Sequence, residues 1–154
     1  MGISGDFSEG LIKRIDNVVN YNPKNVFIMI GINDIIEKVP LSEIKANYIK
    51  IIELIENRCP ETNIYIQSTL PTTGLRSLLS SSKGINIKVQ DLNKFLYKTT
   101  KEKNIVFIDM YLDYTNQNNE LKKELTTDGI HLNSKGYSIW ESYIKNYINT
   151  IANT

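Results

Sequence analysis

The sequence predicts an α/β fold, in which a parallel sheet is covered by helices on both faces. Three short runs are almost continuously apolar and rich in β-branched or aromatic residues, as is typical of strands buried on both faces. They are residues 26–30, 63–68 and 104–109. Segments with apolar residues at helical spacing alternate with these runs, which favours parallel strands joined by helices. The 154 residues, of which 41% are hydrophobic, are enough for a single globular domain over residues 1–154.

Four segments carry the helical spacing of apolar residues. The first begins near Phe7 and stops at the pair Asn22-Pro23, because the residue before a proline disfavours helix. The helices are predicted over residues 7–21, 41–58, 85–101 and, near the C-terminus, around 139–148. Residues 74–84 are predicted to form the most mobile loop, and residues 116–119 form a second polar connection.

Composition excludes several classes of partner and site. Eighteen basic and seventeen acidic residues give a net charge of +1 with no long block of one sign, so no nucleic-acid partner is indicated. The single cysteine, Cys59, excludes an internal disulfide framework and lacks the paired spacing of a zinc site, so we expect an ordinary buried or half-buried thiol. No apolar run is long enough to span a membrane, and the N-terminus lacks the order of a signal peptide. As written, the chain is predicted to be cytoplasmic, and secretion stays open if an N-terminal segment is missing.

Polar residues that follow the predicted strands are the candidate site, because open parallel sheets hold their sites at the carboxyl ends of strands. His131 is the only histidine and a candidate general base, and Asp128 could fix its tautomer. The alternative is that Asp128 only closes a turn. Asn33, after the first strand, could donate to the negative oxygen of a tetrahedral intermediate, or could be an Asx-turn residue.

Three motifs occur in order along the chain. They are Gly-Ile-Ser-Gly-Asp at residues 2–6, Gly-Ile-Asn-Asp at 31–34 and Asp-Gly-Ile-His-Leu-Asn at 128–133. With them the chain resembles the SGNH or GDSL ester hydrolases, especially the small members similar to lysophospholipases, platelet-activating-factor acetylhydrolases and carbohydrate acetylesterases. The resemblance implies a flavodoxin-like three-layer fold. It also implies an activity that needs no metal or organic cofactor.

The resemblance also implies roles for individual residues. The Gly5 N–H and the Asn33 amide would form the oxyanion hole, while His131 would be the base and Asp128 its orienting acid. In this family a serine block precedes these motifs and follows the first, central strand. Gly5-Asp6-Phe7-Ser8 looks like that block, but Phe7 interrupts it and the interval to Asn33 holds only one predicted helix and one predicted strand. Ser8 is therefore predicted to be an early helix residue.

The nucleophile is predicted to lie outside this chain, with Ser4 and Ser8 as the alternatives within it. The simplest interpretation is an N-terminally truncated chain that lacks the first central strand. A homodimer whose partner fills the gap is the alternative. Ser134, at the start of the last helix, is predicted to be a cap.

The expected function is hydrolysis of a small carboxylic ester through an acyl-enzyme, with no particular acyl group or alcohol indicated beyond a preference for short acyl chains. The alternative is an inactive remnant that binds a ligand or a protein. A flavodoxin-like nucleotide or phosphate binder ranks last, because no glycine-rich phosphate loop follows a predicted strand.

Overall fold

The structure, a computed structural model, describes residues 3–74 and 82–152. Its sheet has the strand order β1-β2-β3, and β1 and β2 run parallel with Asn25 opposite Asn63 and Ile28 opposite Ile66. The strands are β1 (Asn25–Ile28), β2 (Asn63–Gln67) and β3 (Val106–Ile108). The helices are α1 (Ser8–Lys13), α2 (Asp16–Val19), α3 (Ile32–Ile36), α4 (Leu41–Arg58), α5 (Ser82–Glu102), α6 (Tyr111–Tyr114) and α7 (Ser134–Ala152), with a 3₁₀ turn at Lys123–Leu125. The predicted α/β class is confirmed.

The helices depart from the prediction in two ways. The predicted helix over 7–21 is two short helices, because Ile15 N donates to Ile12 O at 3.2 Å and so tightens the ladder between them. The sequence pattern also missed α3 and α6, which are too short to show helical periodicity. Most of the loop predicted over 74–84 lies outside the described residues, and residues 82–84 belong to α5.

The chain divides into two compact units, and the first comprises residues 1–69 and 88–107. Its core includes the apolar stripe of α4, in which Ile44, Tyr48, Ile51, Ile52 and Ile55 are at most 1% exposed. The Tyr48 hydroxyl donates to Ile30 O at 2.9 Å and accepts from Ile30 N at 3.1 Å. Burial raises the pKa of Tyr48, so the hydroxyl stays protonated and can keep both bonds. Tyr48 thereby fixes the backbone just beyond β1.

Residues 70–87 and 108–154 form the second unit. Asn86 is 1% exposed and clamps the segment after β2: its Oδ1 accepts from Thr72 N at 2.8 Å, and its Nδ2 donates to Thr72 O at 2.9 Å. The buried Tyr114 donates to Gly136 O at 2.8 Å, which joins α6 to the first turn of α7. The expectation of a single domain stays a prediction.

Two expectations from composition concern single features of the fold. Cys59 is buried, and its thiol lies 3.3 Å from Val19 O, so it is an ordinary core thiol as predicted. Across residues 3–74 and 82–152, no helix combines the length and apolar character that crossing a bilayer requires.

Candidate functional site

The first group of candidate residues consists of the turn at Gly5 and Asn33, which bonds to that turn. Asp6 N donates to Ile3 O at 3.4 Å, and Gly5, at the third position of this turn, has φ +73°. Glycine adopts this left-handed conformation without steric cost. Gly5 is exposed, so the turn presents its backbone at the surface of the described residues.

Asn33 is held against this turn by its side chain. Gly31, with φ +110°, turns the chain from β1 into α3, and a Cβ there would lie 3.1 Å from Leu92 Cδ2. Asn33 is the second residue of α3, and its Nδ2 donates to Asp6 O at 2.9 Å. The structure therefore brings Asn33 to the Gly5-Asp6 turn. This bond reaches a residue 27 positions away in the sequence, so it is not the local bond of an Asx turn.

Asp34 forms a buried network with Ser8. The two residues are 1% and 0% exposed, and Ser8 is the first residue of α1, as predicted. Asp34 accepts from Ser8 N at 3.0 and 3.1 Å and from Ser8 Oγ at 2.6 Å. Asn47 Nδ2 donates to Ser8 Oγ at 2.9 Å. The carboxylate thus binds the first N–H of a helix, where negative charge is favourable.

Asp6 ties the same turn to the end of α1. Its Oδ1 accepts from Phe7 N at 2.9 Å, and its Oδ2 accepts from Arg14 Nε at 2.9 Å. Both side chains of this ion pair are less than 20% exposed, at 13% for Asp6 and 17% for Arg14. No role for Asp34, Asn47 or Arg14 was predicted from the sequence, because their partners lie 26, 39 and 8 residues away and no local pattern marks them.

His131 and Asp128 form the second group. Asp128 Oδ2 lies 2.6 Å from His131 Nδ1, while its Oδ1 accepts from the backbone N–H groups of Ile130 at 3.0 Å and His131 at 2.8 Å. The side chain therefore closes the turn and holds the imidazole as well. The hydrogen bond with the His131 ring, followed by the two backbone bonds, lowers the pKa of Asp128 to about 2.

The backbone around this pair is fixed by glycine and two threonines. Gly129 has φ +94°, and a Cβ there would lie 1.8 Å from Thr73 O. Thr73 N donates to Gly129 O at 2.9 Å. Thr126 Oγ1 accepts from Gly129 N at 2.9 Å and donates to His131 O at 2.7 Å. Only glycine fits this turn, so the spacing of Asp128 and His131 depends on it.

The structure thus joins Asn33 to the Gly5 turn in the first unit and His131 to Asp128 in the second unit. Ser4 is exposed beside Gly5. Ser134 begins α7 but is not its cap, because Asn133 Oδ1 accepts from Gly136 N at 3.1 Å and takes that role. Within the described residues, no three His, Cys, Asp or Glu side chains come together as a metal site would need.

Replacing Asp34 by alanine should lower the free energy of unfolding by about 3 kcal/mol, because the buried N–H and hydroxyl of Ser8 lose a charged acceptor. Urea denaturation measures this change. Asp16→Ala is the matched control, since it removes a carboxylate that is 67% exposed and paired with Arg58, and should cost less than about 1 kcal/mol. Equal effects of the two substitutions would contradict the structural role of Asp34.

The Asp128 carboxyl carbon should titrate in ¹³C NMR with a midpoint near pH 2, below the ordinary value of about 3.9. Because the folded-state pKa is the lower one, ionised Asp128 stabilises the fold above about pH 4, and this contribution is lost as the pH falls towards 2. In His131→Ala the midpoint should rise, since the largest cause of the shift is removed. Asp128→Asn identifies the resonance. A midpoint that His131→Ala leaves unchanged would show that the ring does not hold the carboxylate.

All three motifs lie in the part of the chain that is similar to known proteins. The model of the GDSL-like lipase/acylhydrolase family matches residues 1–139. A GDSL-like lipase from Bacteroides thetaiotaomicron superposes with a TM-score of 0.88 at 27% identity, over 98% of this chain and 75% of that one. A protein from Bacteroides fragilis assigned as an acylhydrolase gives 0.88 and 27%, over 98% and 74%.

The curated relatives are longer proteins. The N-acylneuraminate cytidylyltransferase of Escherichia coli O18:K1:H7 is 30% identical over 149 residues, which are 94% of this chain and 33% of that protein. This chain spans about a third of the length of the curated relatives it matches. The acylhydrolase match, in contrast, runs through the Gly5, Asn33 and His131 motifs together, and the chain belongs to the GDSL-like lipase/acylhydrolase family.

Proposed function

We propose that this chain supplies the base, its orienting acid and the oxyanion donors of a carboxylic ester hydrolase. The observation that carries the proposal is the 2.6 Å contact between His131 Nδ1 and Asp128 Oδ2. With Nδ1–H donated to the carboxylate, Nε2 is the nitrogen that can accept a proton. The His131 side chain is 63% exposed, so that nitrogen can be reached from solvent.

The oxyanion donors are the Gly5 N–H and the Asn33 amide. An asparagine amide has two hydrogens, and the bond to Asp6 O engages one of them. The other hydrogen can then point at a negative oxygen without reorganising, because the first bond and α3 hold the side chain. Donors fixed in this way before the reaction are worth about 3 kcal/mol each in acyl transfer.

A serine outside residues 1–154 acts as the nucleophile. Ser8 is unsuitable because it is fully buried and its hydroxyl donates to a carboxylate. The external serine oxygen bonds to the ester carbonyl carbon, and its proton passes to His131. The carbon–oxygen bond to the alcohol then breaks, and His131 returns the proton to the leaving alcohol. Water attacks the acyl-enzyme by the same route and releases the acid.

Esters of short acids are the proposed substrates, and sugars are the first alcohol components to test. The curated relatives support only the sugar part, since they are named for an N-acylneuraminate, a sugar acid whose N-acyl group is an amide. Transfer of a cytidylyl group is not proposed for this chain, because it matches only about a third of those proteins and the family model describes acylhydrolases.

A binding module without catalysis is the second candidate function. The observation that favours it is that, among the described residues, no serine hydroxyl is hydrogen-bonded to His131. Fluorophosphonate, which traps activated serines, separates the possibilities for this chain when combined with intact mass and peptide mapping. We expect no adduct on the 154-residue protein. An adduct on Ser4 or Ser8 would contradict a nucleophile outside the chain.

In a protein extended at the N-terminus by a serine-bearing segment, hydrolysis of p-nitrophenyl acetate tests the roles of the residues. His131→Ala should lower kcat about 10³-fold, because proton transfer is lost. Asn33→Ala should lower kcat about 10²-fold with little change in KM, because its bond strengthens only as the oxyanion forms. The exposed Asn118 is the matched control, and Asn118→Ala should leave kcat unchanged. Normal turnover in His131→Ala would remove the proposed base, and an extended protein that binds but never hydrolyses esters would favour the binding module.

A further inference from the structure

Asn86 is a buried polar residue near the start of helix α5, and its side chain makes four hydrogen bonds. Only 1% of the residue is exposed. Its Oδ1 accepts from Thr72 N at 2.8 Å and from Thr72 Oγ1 at 3.1 Å. Its Nδ2 donates to Thr72 O at 2.9 Å and to Asn119 O at 2.7 Å. An amide side chain has two acceptor sites and two donor hydrogens, so Asn86 uses its full capacity on these bonds.

One peptide group connects Asn86 to the turn that holds the proposed acid and base. The C=O of Thr72 and the N–H of Thr73 belong to the same peptide group, which is planar and rigid. Asn86 donates to that C=O, while the N–H donates to Gly129 O at 2.9 Å. The two segments approach so closely that a Cβ on Gly129 would lie 1.8 Å from Thr73 O. This peptide group is therefore held by Asn86 at one end and bonded to Gly129 at the other.

A second peptide group continues the chain of hydrogen bonds to Asp128. The C=O of Gly129 and the N–H of Ile130 share this group, and the N–H donates to Asp128 Oδ1 at 3.0 Å. The other carboxylate oxygen, Oδ2, lies 2.6 Å from His131 Nδ1. Hydrogen bonds in such a chain polarise one another, so each one strengthens the next. The hydrogen bonds therefore run without a break from Asn86 to the imidazole, within the second unit.

We propose that Asn86 is a positioning residue for the His131–Asp128 pair and acts through the peptide groups 72–73 and 129–130. Its amide fixes the first peptide group, and the first fixes the second. The second presents the N–H that orients the Asp128 carboxylate towards the His131 ring. The consequence for catalysis rests on the proposed function, whereas the orientation of Asp128 can be measured without it.

Helix packing alone does not account for an asparagine at this position. Asparagine is a weaker helix former than leucine, and burial of a polar group is costly unless the group is bonded. An apolar side chain would fill the space, as Val89 and Leu92 do elsewhere on α5, where both are fully buried. The amide adds what those side chains lack, which is a paired bond to a backbone N–H and a backbone C=O.

Asn93→Ala is the matched control. Asn93 lies about two helical turns further along α5. It clamps a threonine in the same way, since its Oδ1 accepts from Thr69 N at 2.8 Å and its Nδ2 donates to Thr69 O at 2.9 Å. This clamp belongs to the first unit, and neither residue is part of the hydrogen-bond chain that begins at Asn86.

The first measurement is the ¹³C titration of the Asp128 carboxyl carbon in the 154-residue protein. In Asn86→Ala the midpoint should rise from about pH 2 towards the ordinary value of about 3.9, because the His131 ring and the Ile130 N–H are no longer held against the carboxylate. In Asn93→Ala, which loses an equivalent clamp, the midpoint should stay near pH 2. Similar losses of stability in urea combined with different midpoints would separate positioning from general destabilisation.

The second measurement is hydrolysis of p-nitrophenyl acetate by the protein extended at the N-terminus with a serine-bearing segment. Asn86→Ala should lower kcat at least about ten-fold with little change in KM, since a misoriented base slows proton transfer without altering ester binding. Asn93→Ala should retain most of the activity. An extended protein that does not hydrolyse esters at all would contradict the proposed function, and the titration would then decide the role of Asn86.

If Asn86→Ala proves unfolded by circular dichroism, Thr72→Val takes its place, because it removes only the hydroxyl bond to Asn86 Oδ1. Its matched control is Thr69→Val, which removes the bond from Thr69 Oγ1 to Ile30 O at 3.3 Å. We expect a higher Asp128 midpoint in Thr72→Val alone. An unchanged midpoint in the folded variant, or an equal rise in the variant and its control, would overturn the proposal.

Discussion

The bonds that the buried carboxylate of Asp34 accepts from Ser8 are the interaction on which the first group of candidate residues depends. It sits just beyond β1 and accepts both the backbone and the side-chain bonds of Ser8, so the loop after the strand and the start of α1 cannot move independently. The Gly5 turn precedes Ser8, and Asn33 precedes Asp34. Gly5 is therefore three residues from the buried Ser8, and Asn33 is one residue from the buried Asp34. The hydrogen bond from Asn33 to Asp6 O links the same two segments a second time.

A different kind of interaction holds the second group, Asp128 and His131. Asp128 and His131 are 50% and 63% exposed, so solvent screens the attraction between them. The pair is fixed because its two residues are only three positions apart in the sequence. Gly129 between them forms a turn that no other residue fits against Thr73 O, and two backbone N–H groups orient the Asp128 carboxylate. An exposed pair of this kind keeps its geometry without the desolvation cost of a buried one.

This difference explains how much the sequence could predict. The Asp128–His131 contact was predictable because both partners lie in one short motif whose glycine marks the turn. The long helix α4 and the central strand segments were predictable from periodicity. Asp34 escaped prediction because its partner Ser8 is 26 residues away, and residue spacing carries no information on contacts that only the tertiary fold creates. Helix α3, with five residues, is too short for an apolar stripe to show.

Strand β1 is less buried than its sequence pattern predicts. A continuous apolar run is typical of a strand that is covered on both faces, whereas the strand order gives the partners of β1 within the described residues. For β2 the two agree, since Ile64 to Gln67 are all buried. For β1 they disagree: Phe27 stacks on Tyr65 with ring centroids 4.5 Å apart, yet its own side chain and that of Val26 stay half-exposed. Because β1 leads through Ile30 and Gly31 to Asn33, the pairing of β1 with β2 positions the backbone that carries the proposed oxyanion donor.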